Sequence, residues 1–172
     1  MSGKPQPGEY GEYFGRYISL VETDDVAAAL QAQLPVTMQL LDSVTEEQSL
    51  HRYEPGKWSI REMLGHMGDT ERVMAYRALT FARGDAAVLP SFDQDLFTAN
   101  AGFNSRSWES LKREFAAVRA ASVALFDNLS PEAWTRGGTA SGKPTSVRAL
   151  AYIIAGHELY HRVILRERYG VA

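Results

Sequence analysis

Two histidines four residues apart, His157 and His161, stand inside the apolar segment that closes this chain. Residues at i and i+4 lie one above the other on a helix face. Their neighbours at three or four residues are Ile153, Ile154, Ile164 and Leu165, so this face points into a core. A neutral imidazole buried among aliphatic side chains needs a polar partner, and a stacked pair needs two. Any fold open to the chain must therefore bring partners to that face from another element.

One further histidine is placed to answer. His66 falls in a second helical stretch, with Met63 three residues before it and Val73 seven after, and it too faces inward. Three imidazoles from two helices can converge on one divalent ion and leave coordination positions open, which is how bundles build reactive metal sites. The competing reading is three buried histidines with ordinary hydrogen-bond partners. The fourth histidine, His51, lies in polar sequence and reads as exposed. Asp69, three residues after His66, and Glu158, next to His157, are the acids placed to orient a ligand or act as a base. As ordinary charged groups they would need no explanation. Trp58, Tyr160 and Arg162 are candidates to line the mouth of such a site.

The rest of the chain reads as helix. A first helix starts at Asp24 or Asp25 and reaches about Val44, with Ala28, Leu30, Leu34, Met38 and Leu41 at helical period and a kink expected at Pro35. A second opens on Ser59-Ile60-Arg61-Glu62, a capping box, and runs to about Arg83. A third extends from Ser107 to about Asn128, and the last from Thr145 or Ser146 to Tyr169, with Gly170 as its stop. Residues 1–22 form an arm whose aromatic cluster, Tyr10, Tyr13, Phe14 and Tyr17, suits one or two helical turns packed on the domain. Residues 84–106 read as a loop with a helical turn at Asp95 to Ala99, Ser130-Pro131-Glu132 as a short capped turn, and residues 137–144 as a loop. No segment reads as a strand. The expectation is an all-α four-helix bundle forming one domain over residues 1–172.

Composition narrows the partners. Hydrophobic residues make up 45% of the chain, enough for a core without crosslinks. There is no cysteine, so disulfides, a thiolate nucleophile and cysteine ligands are excluded, and any thiol must come from outside. Absence of cysteine fits a reducing cytoplasm. The net charge of −3 gives no electrostatic reason to expect nucleic acid or an anionic membrane. No segment approaches the roughly 18 apolar residues of a membrane span, and the first residues lack the apolar core of a signal peptide. A small-molecule substrate is the partner expected.

Two motif matches fail on context. His157-Glu158-Leu159-Tyr160-His161 matches the H-E-x-x-H pattern of zinc proteases. Those enzymes take a third ligand downstream and align substrate on a strand, whereas here only eleven residues follow His161 and His66 lies upstream. Gly137 to Lys143 resembles a phosphate-binding loop, but Pro144 stands where a serine or threonine must hold magnesium, and no strand is expected before it.

With these residues in hand, the chain resembles the DinB-like superfamily, which includes the YfiT-type metal-dependent hydrolases. The resemblance is carried by residues 57–66 (KWSIREMLGH) continuing through Asp69-Thr70-Glu71-Arg72, and by residues 138–142 (GTASG) followed by 147–161 (VRALAYIIAGHELYH). Residues 92–95 (FDQD) add to it. It implies an up-down-down-up bundle and a metal site of one histidine on the second helix and a His-x-x-x-His pair on the last, here His66, His157 and His161. Zinc and nickel are both implied as occupants, and a homodimer as the assembly. Relatives in this superfamily include hydrolases and transferases or isomerases that use a low-molecular-weight thiol. The expected function is metal-dependent hydrolysis or thiol transfer on a small molecule, with Glu158 or Asp69 as base. The alternative is a non-catalytic metal-binding or small-ligand module of stress physiology, in which the metal is structural.

Overall fold

The computed structural model describes residues 3–172. Four long helices dominate it: α2 (Val26–Asp42), α3 (Ile60–Ala82), α5 (Trp108–Asp127) and α6 (Val147–Tyr169). Each begins where a short polar side chain can accept an unpaired backbone N–H. Asp25 accepts from Ala28, Ser107 from Ser110, and Ser146 from Ala149. Ser59 and Glu62 form the full capping box, each side chain bonded to the other's amide. Gly170, at φ 68°, closes α6 in the left-handed conformation that glycine adopts without strain. The first helix passes through Pro35 and ends at Asp42, just short of Val44.

Contacts at the helix ends set the topology. The turn after α2 carries Glu46, whose carboxylate meets Arg61 at the start of α3 and the Trp108 amide at the start of α5. The N-terminal end of α2 meets α6 near its own start, where the Tyr152 hydroxyl donates to the Thr23 carbonyl at 2.8 Å. The far end of α6 returns to the start of α3, where the Tyr169 hydroxyl donates to Trp58 at 2.7 Å. Thus α2 and α6 run one way and α3 and α5 the other. This is the up-down-down-up bundle, with α3 packed between α5 and α6.

Smaller elements close the bundle. The arm supplies a 3-10 turn, Glu12–Phe14, and α1 (Gly15–Ile18), which lies on α6. The segment after α3 holds β1 (Val88–Leu89) and α4 (Gln94–Asn100), the latter capped by Asp93. The hairpin β2 (Gly137–Ala140) and β3 (Lys143–Ser146) then leads straight into α6. These form a three-stranded sheet in the order β1-β2-β3, with β1–β2 parallel and β2–β3 antiparallel. The sheet corrects the expectation that the chain holds no strand and that residues 137–144 are a loop. Its strands have only two to four residues, too few to show an alternating apolar pattern. Its turn, Ser141-Gly142, has φ of 52° and 74°, the two positive values of a type I′ two-residue hairpin.

The core divides into two clusters. One gathers Val26, Leu30, Phe81, Leu150 and Ile153; the other gathers Leu41, Met63, Met67, Phe115 and Leu165. The three inward histidines fall at the seam between them. Among the described residues, no helix is long and apolar enough to cross a membrane.

Candidate metal centre

His66 reaches the seam from α3, and His157 and His161 reach it from α6. All three are buried, at 4%, 7% and 6% exposure. Their Nε2 atoms converge: His157 Nε2 lies 3.1 Å from His66 Nε2 and 3.0 Å from His161 Nε2. The three ligand atoms all lie within 4.8 Å of one another. Burial holds His66 down to about pKa 4 and His161 to about 3, and drives His157 well below the usual histidine range. The cluster is therefore neutral at neutral pH, with lone pairs available.

Such a cluster does not satisfy itself. A neutral imidazole has one N–H and one lone pair. A proton on His157 Nε2 can serve one neighbour and not both, and protons on the three Nδ1 atoms leave three lone pairs face to face. His161 Nδ1 is also buried with no hydrogen-bond partner among the described residues. A divalent ion resolves the conflict, since zinc–imidazole bonds of about 2.0–2.1 Å place tetrahedral nitrogens about 3.3 Å apart. The donor set fits a borderline-soft divalent metal of the zinc or nickel kind.

Neighbouring rings and hydroxyls fix the imidazoles. Thr70 Oγ1 lies 3.4 Å from His66 Nδ1, so it bears on the ring nitrogen turned away from the cluster. The Trp58 ring sits against His66, with centroids 4.7 Å apart, and Tyr160 lies edge-on to His161 at 5.5 Å. Tyr17 of the arm stands edge-on to His157 at 5.3 Å. The arm reaches this close because Gly156 has no side chain: a Cβ there would lie 2.0 Å from the Tyr17 carbonyl oxygen.

A cavity of about 180 Å³ opens onto His66 and His157. Its walls come from the arm (Tyr13, Phe14, Tyr17), from α3 (Thr70, Met74, Arg77), from Phe92 and Gln94 in the α3–α5 connection, and from Ser141 in the hairpin turn. The arm lies on α6 and also walls the site. Trp58, Tyr160 and Arg162, expected at the mouth, are not among the lining residues.

The two acids expected as bases are placed elsewhere. Glu158, 2% exposed, turns away from the imidazoles to ion-pair with Arg119 of α5 and accept from the Thr37 hydroxyl of α2. Arg119 also binds Glu71 in a two-pronged pair, with both bonds 2.8 Å long. Burial works to lower the Arg119 pKa, but the two carboxylates outweigh it and raise it, so the guanidinium stays charged. Asp69 is half-buried and pairs with Arg72 at 3.2 Å; Arg72 in turn pairs with Glu114 at 2.7 Å. Burial raises the Asp69 pKa against the pull of Arg72. Neither acid joins the histidine cluster.

The fold and the cluster together define a class: an up-down-down-up bundle with a three-histidine centre between its second and last long helices. The chain belongs to the DinB superfamily, whose family model matches residues 29–165. Among solved structures it is similar to YfiT from Bacillus subtilis, with a TM-score of 0.70 and 17% identity, covering 98% of this chain and 94% of that one. That protein is described as "a probable metal-dependent hydrolase with an unusual four-helix bundle topology". At this identity the likeness speaks for the fold. None of the curated proteins compared matches the chain.

Sequence reasoning missed the wall residues Tyr17, Thr70 and Arg77. A signal existed for two of them. Thr70 and Arg77 follow His66 by four and eleven residues, which keeps them on its face of α3. Nothing in the local sequence ties Tyr17 to His157, since that contact depends on the path of the arm.

Proposed function

We propose that this protein is a metal-dependent enzyme acting on a small molecule, with one divalent ion held by His66, His157 and His161. The convergence of three buried, neutral Nε2 atoms beside an open cavity carries this reading. A purely structural ion would be enclosed on all sides, whereas this cluster gives onto a cavity through His66 and His157. Held there, such an ion supplies Lewis acidity, lowering the pKa of a water or thiol ligand toward neutrality. The reaction is then hydrolysis or transfer to an external thiol.

The chain's own residues divide the remaining work. The imidazoles offer lone pairs without competing protons at neutral pH. Tyr17, Phe14 and Met74 exclude bulk water from the cavity wall, which strengthens every charge interaction inside. The Glu71–Arg119–Glu158 network anchors α6 to α3, α5 and α2 immediately beside His157 and so fixes that ring. Zinc or nickel as occupant, and a homodimer as assembly, rest on the family resemblance and belong to the same proposal.

Elemental analysis of protein purified without an affinity tag tests the reading. About one equivalent of zinc or nickel is expected, and none in His66→Ala. A native protein that holds no metal and takes up neither ion would sink it. Bound metal then justifies screening electrophiles with and without added thiols.

A further inference from the structure

Among the described residues, buried cations face carboxylates, with one exception. Arg119 faces Glu71 and Glu158, and Arg61 faces Glu46. Arg77 is only 3% exposed and forms no ion pair among the described residues. Its Nη2 donates to the Pro90 carbonyl at 2.6 Å and Ser141 Oγ at 3.1 Å, and its Nη1 to Met74 Sδ at 3.6 Å. These bonds use three of the five N–H groups that a guanidinium carries. Burial lowers its pKa and no neighbouring acid raises it, yet an arginine keeps its charge in a protein. A buried charge ordinarily has a counter-charge, and the described residues supply none.

The position of Arg77 says where that counter-charge comes from. Arg77 lines the same cavity as His66 and His157. It stands eleven residues after His66 on one face of α3, about 16 Å along the helix axis. Helical side chains lean toward the N-terminus, which points Arg77 back toward the histidines. The Phe92 ring lies 5.9 Å from the guanidinium carbon. The cavity thus has neutral metal-ligating nitrogens toward one end and an unpaired, fork-shaped cation toward the other. At about 180 Å³ it is smaller than the roughly 300–1,000 Å³ of drug-sized pockets, which suits a small acid and not a peptide or a polynucleotide.

We propose that Arg77 binds the carboxylate of a small organic acid whose other end reaches the histidine cluster. The inference rests on the enzymatic reading above and narrows its substrate class to anionic molecules. Pro90 and Ser141 occupy both Nη2 hydrogens, so the carboxylate accepts a single charge-assisted N–H bond from Nε or the free Nη1 hydrogen, and Arg77 anchors the ligand at that end of the cavity. The acid belongs either to the substrate or to a thiol cosubstrate.

The test titrates straight-chain carboxylic acids of three to eight carbons, and the matching primary amides, into the protein as purified, Arg77→Gln, Arg77→Lys and His66→Ala, read by calorimetry. The wild type is expected to bind its best acid at least tenfold tighter than the amide. Arg77→Gln brings the two within twofold, while Arg77→Lys and His66→Ala keep the preference. Equal binding of acid and amide by the wild type overturns the proposal, as does a preference that survives Arg77→Gln. A preference lost in His66→Ala also overturns it, because the acid then sits on the metal. Arg77 also ties α3 to the hairpin, so thermal midpoints are recorded beside the titrations; should Arg77→Gln not fold, the wild-type and His66→Ala comparisons decide. A second series, ω-mercapto acids beside ω-mercapto alcohols, locates the source: an extra gain for the mercapto acids assigns the carboxylate to a thiol cosubstrate, and no extra gain assigns it to the substrate. Metal is measured on the same samples. Acid preference without metal sinks only the metal reading, and metal without acid preference sinks only this one.

Discussion

Three buried, neutral imidazoles leave a pH signature. Burial holds His66 at about pKa 4 and His161 at about 3, against an ordinary value of 6.5. In the unfolded chain these groups take up protons as pH falls through about 6.5, while in the fold they stay neutral until far lower pH. Acidification therefore favours the unfolded state. Metal-free protein should hold its full stability above about pH 6.5 and lose it progressively as pH falls, down to about pH 4 for His66 and about pH 3 for His161, by up to about 1.4 kcal/mol per pH unit for each histidine. Urea unfolding of metal-free protein at pH 7.5 and pH 5 measures this, and His161→Phe should show a smaller loss. A stability unchanged between those two values would contradict the buried, neutral cluster. Residue chemistry of this kind was legible in advance: the four-residue spacing and the isoleucines around His157 already put the rings inside. The direction of the Glu158 carboxylate was not legible. It depends on Arg119 of α5 and Thr37 of α2, and neither lies near Glu158 in the chain.

At the scale of elements, the arm shows how one small residue can place a wall. Two features dock it on α6. Glu9 accepts from Ser146 Oγ and Arg148 Nε, each at 2.7 Å, and the Arg148 pairing draws its pKa down to about 2. Gly156 then lets the Tyr17 backbone lie on the helix surface. A methyl group at Gly156 would collide with backbone, which cannot swing aside as a side chain can. Gly156→Ala should destabilise the protein by about 1–3 kcal/mol, as overpacking does, and shift Tyr17 off His157. Denaturant midpoints and the fluorescence of the tyrosine cluster check both effects; a fully stable variant with an undisturbed arm would contradict the close approach. The long helices were legible because each carries a cap and a helical apolar period. The small sheet was not, because β1 and β2 pair across 51 residues of chain, Val88 with Thr139 and Leu89 with Ala140, and such short strands carry no period.

For the whole molecule, the division of the core decides what the proposed ion would do for the fold. Both apolar clusters are complete without it, and the Glu71–Arg119–Glu158 network ties all four long helices together independently. Removing the metal with a strong chelator should leave the helical circular dichroism intact. The thermal midpoint should fall only by the linkage that a bound ligand contributes, about 2.7 kcal/mol for a metal at 100 times its dissociation constant. Collapse of the helical signal on chelation would instead mark the ion as structural and favour the non-catalytic reading.

The sequence by itself determined the helices, their caps, the inward face of α6 and the three histidines, because these follow from local spacing and local hydrogen bonds. Only the tertiary structure decided which side chains share the cavity. Arg77 became an unpaired cation, and Glu158 a paired anion, according to what the other helices and the hairpin brought against them. Charge pairing in a core depends on neighbours distant in the chain, and no local pattern records those neighbours.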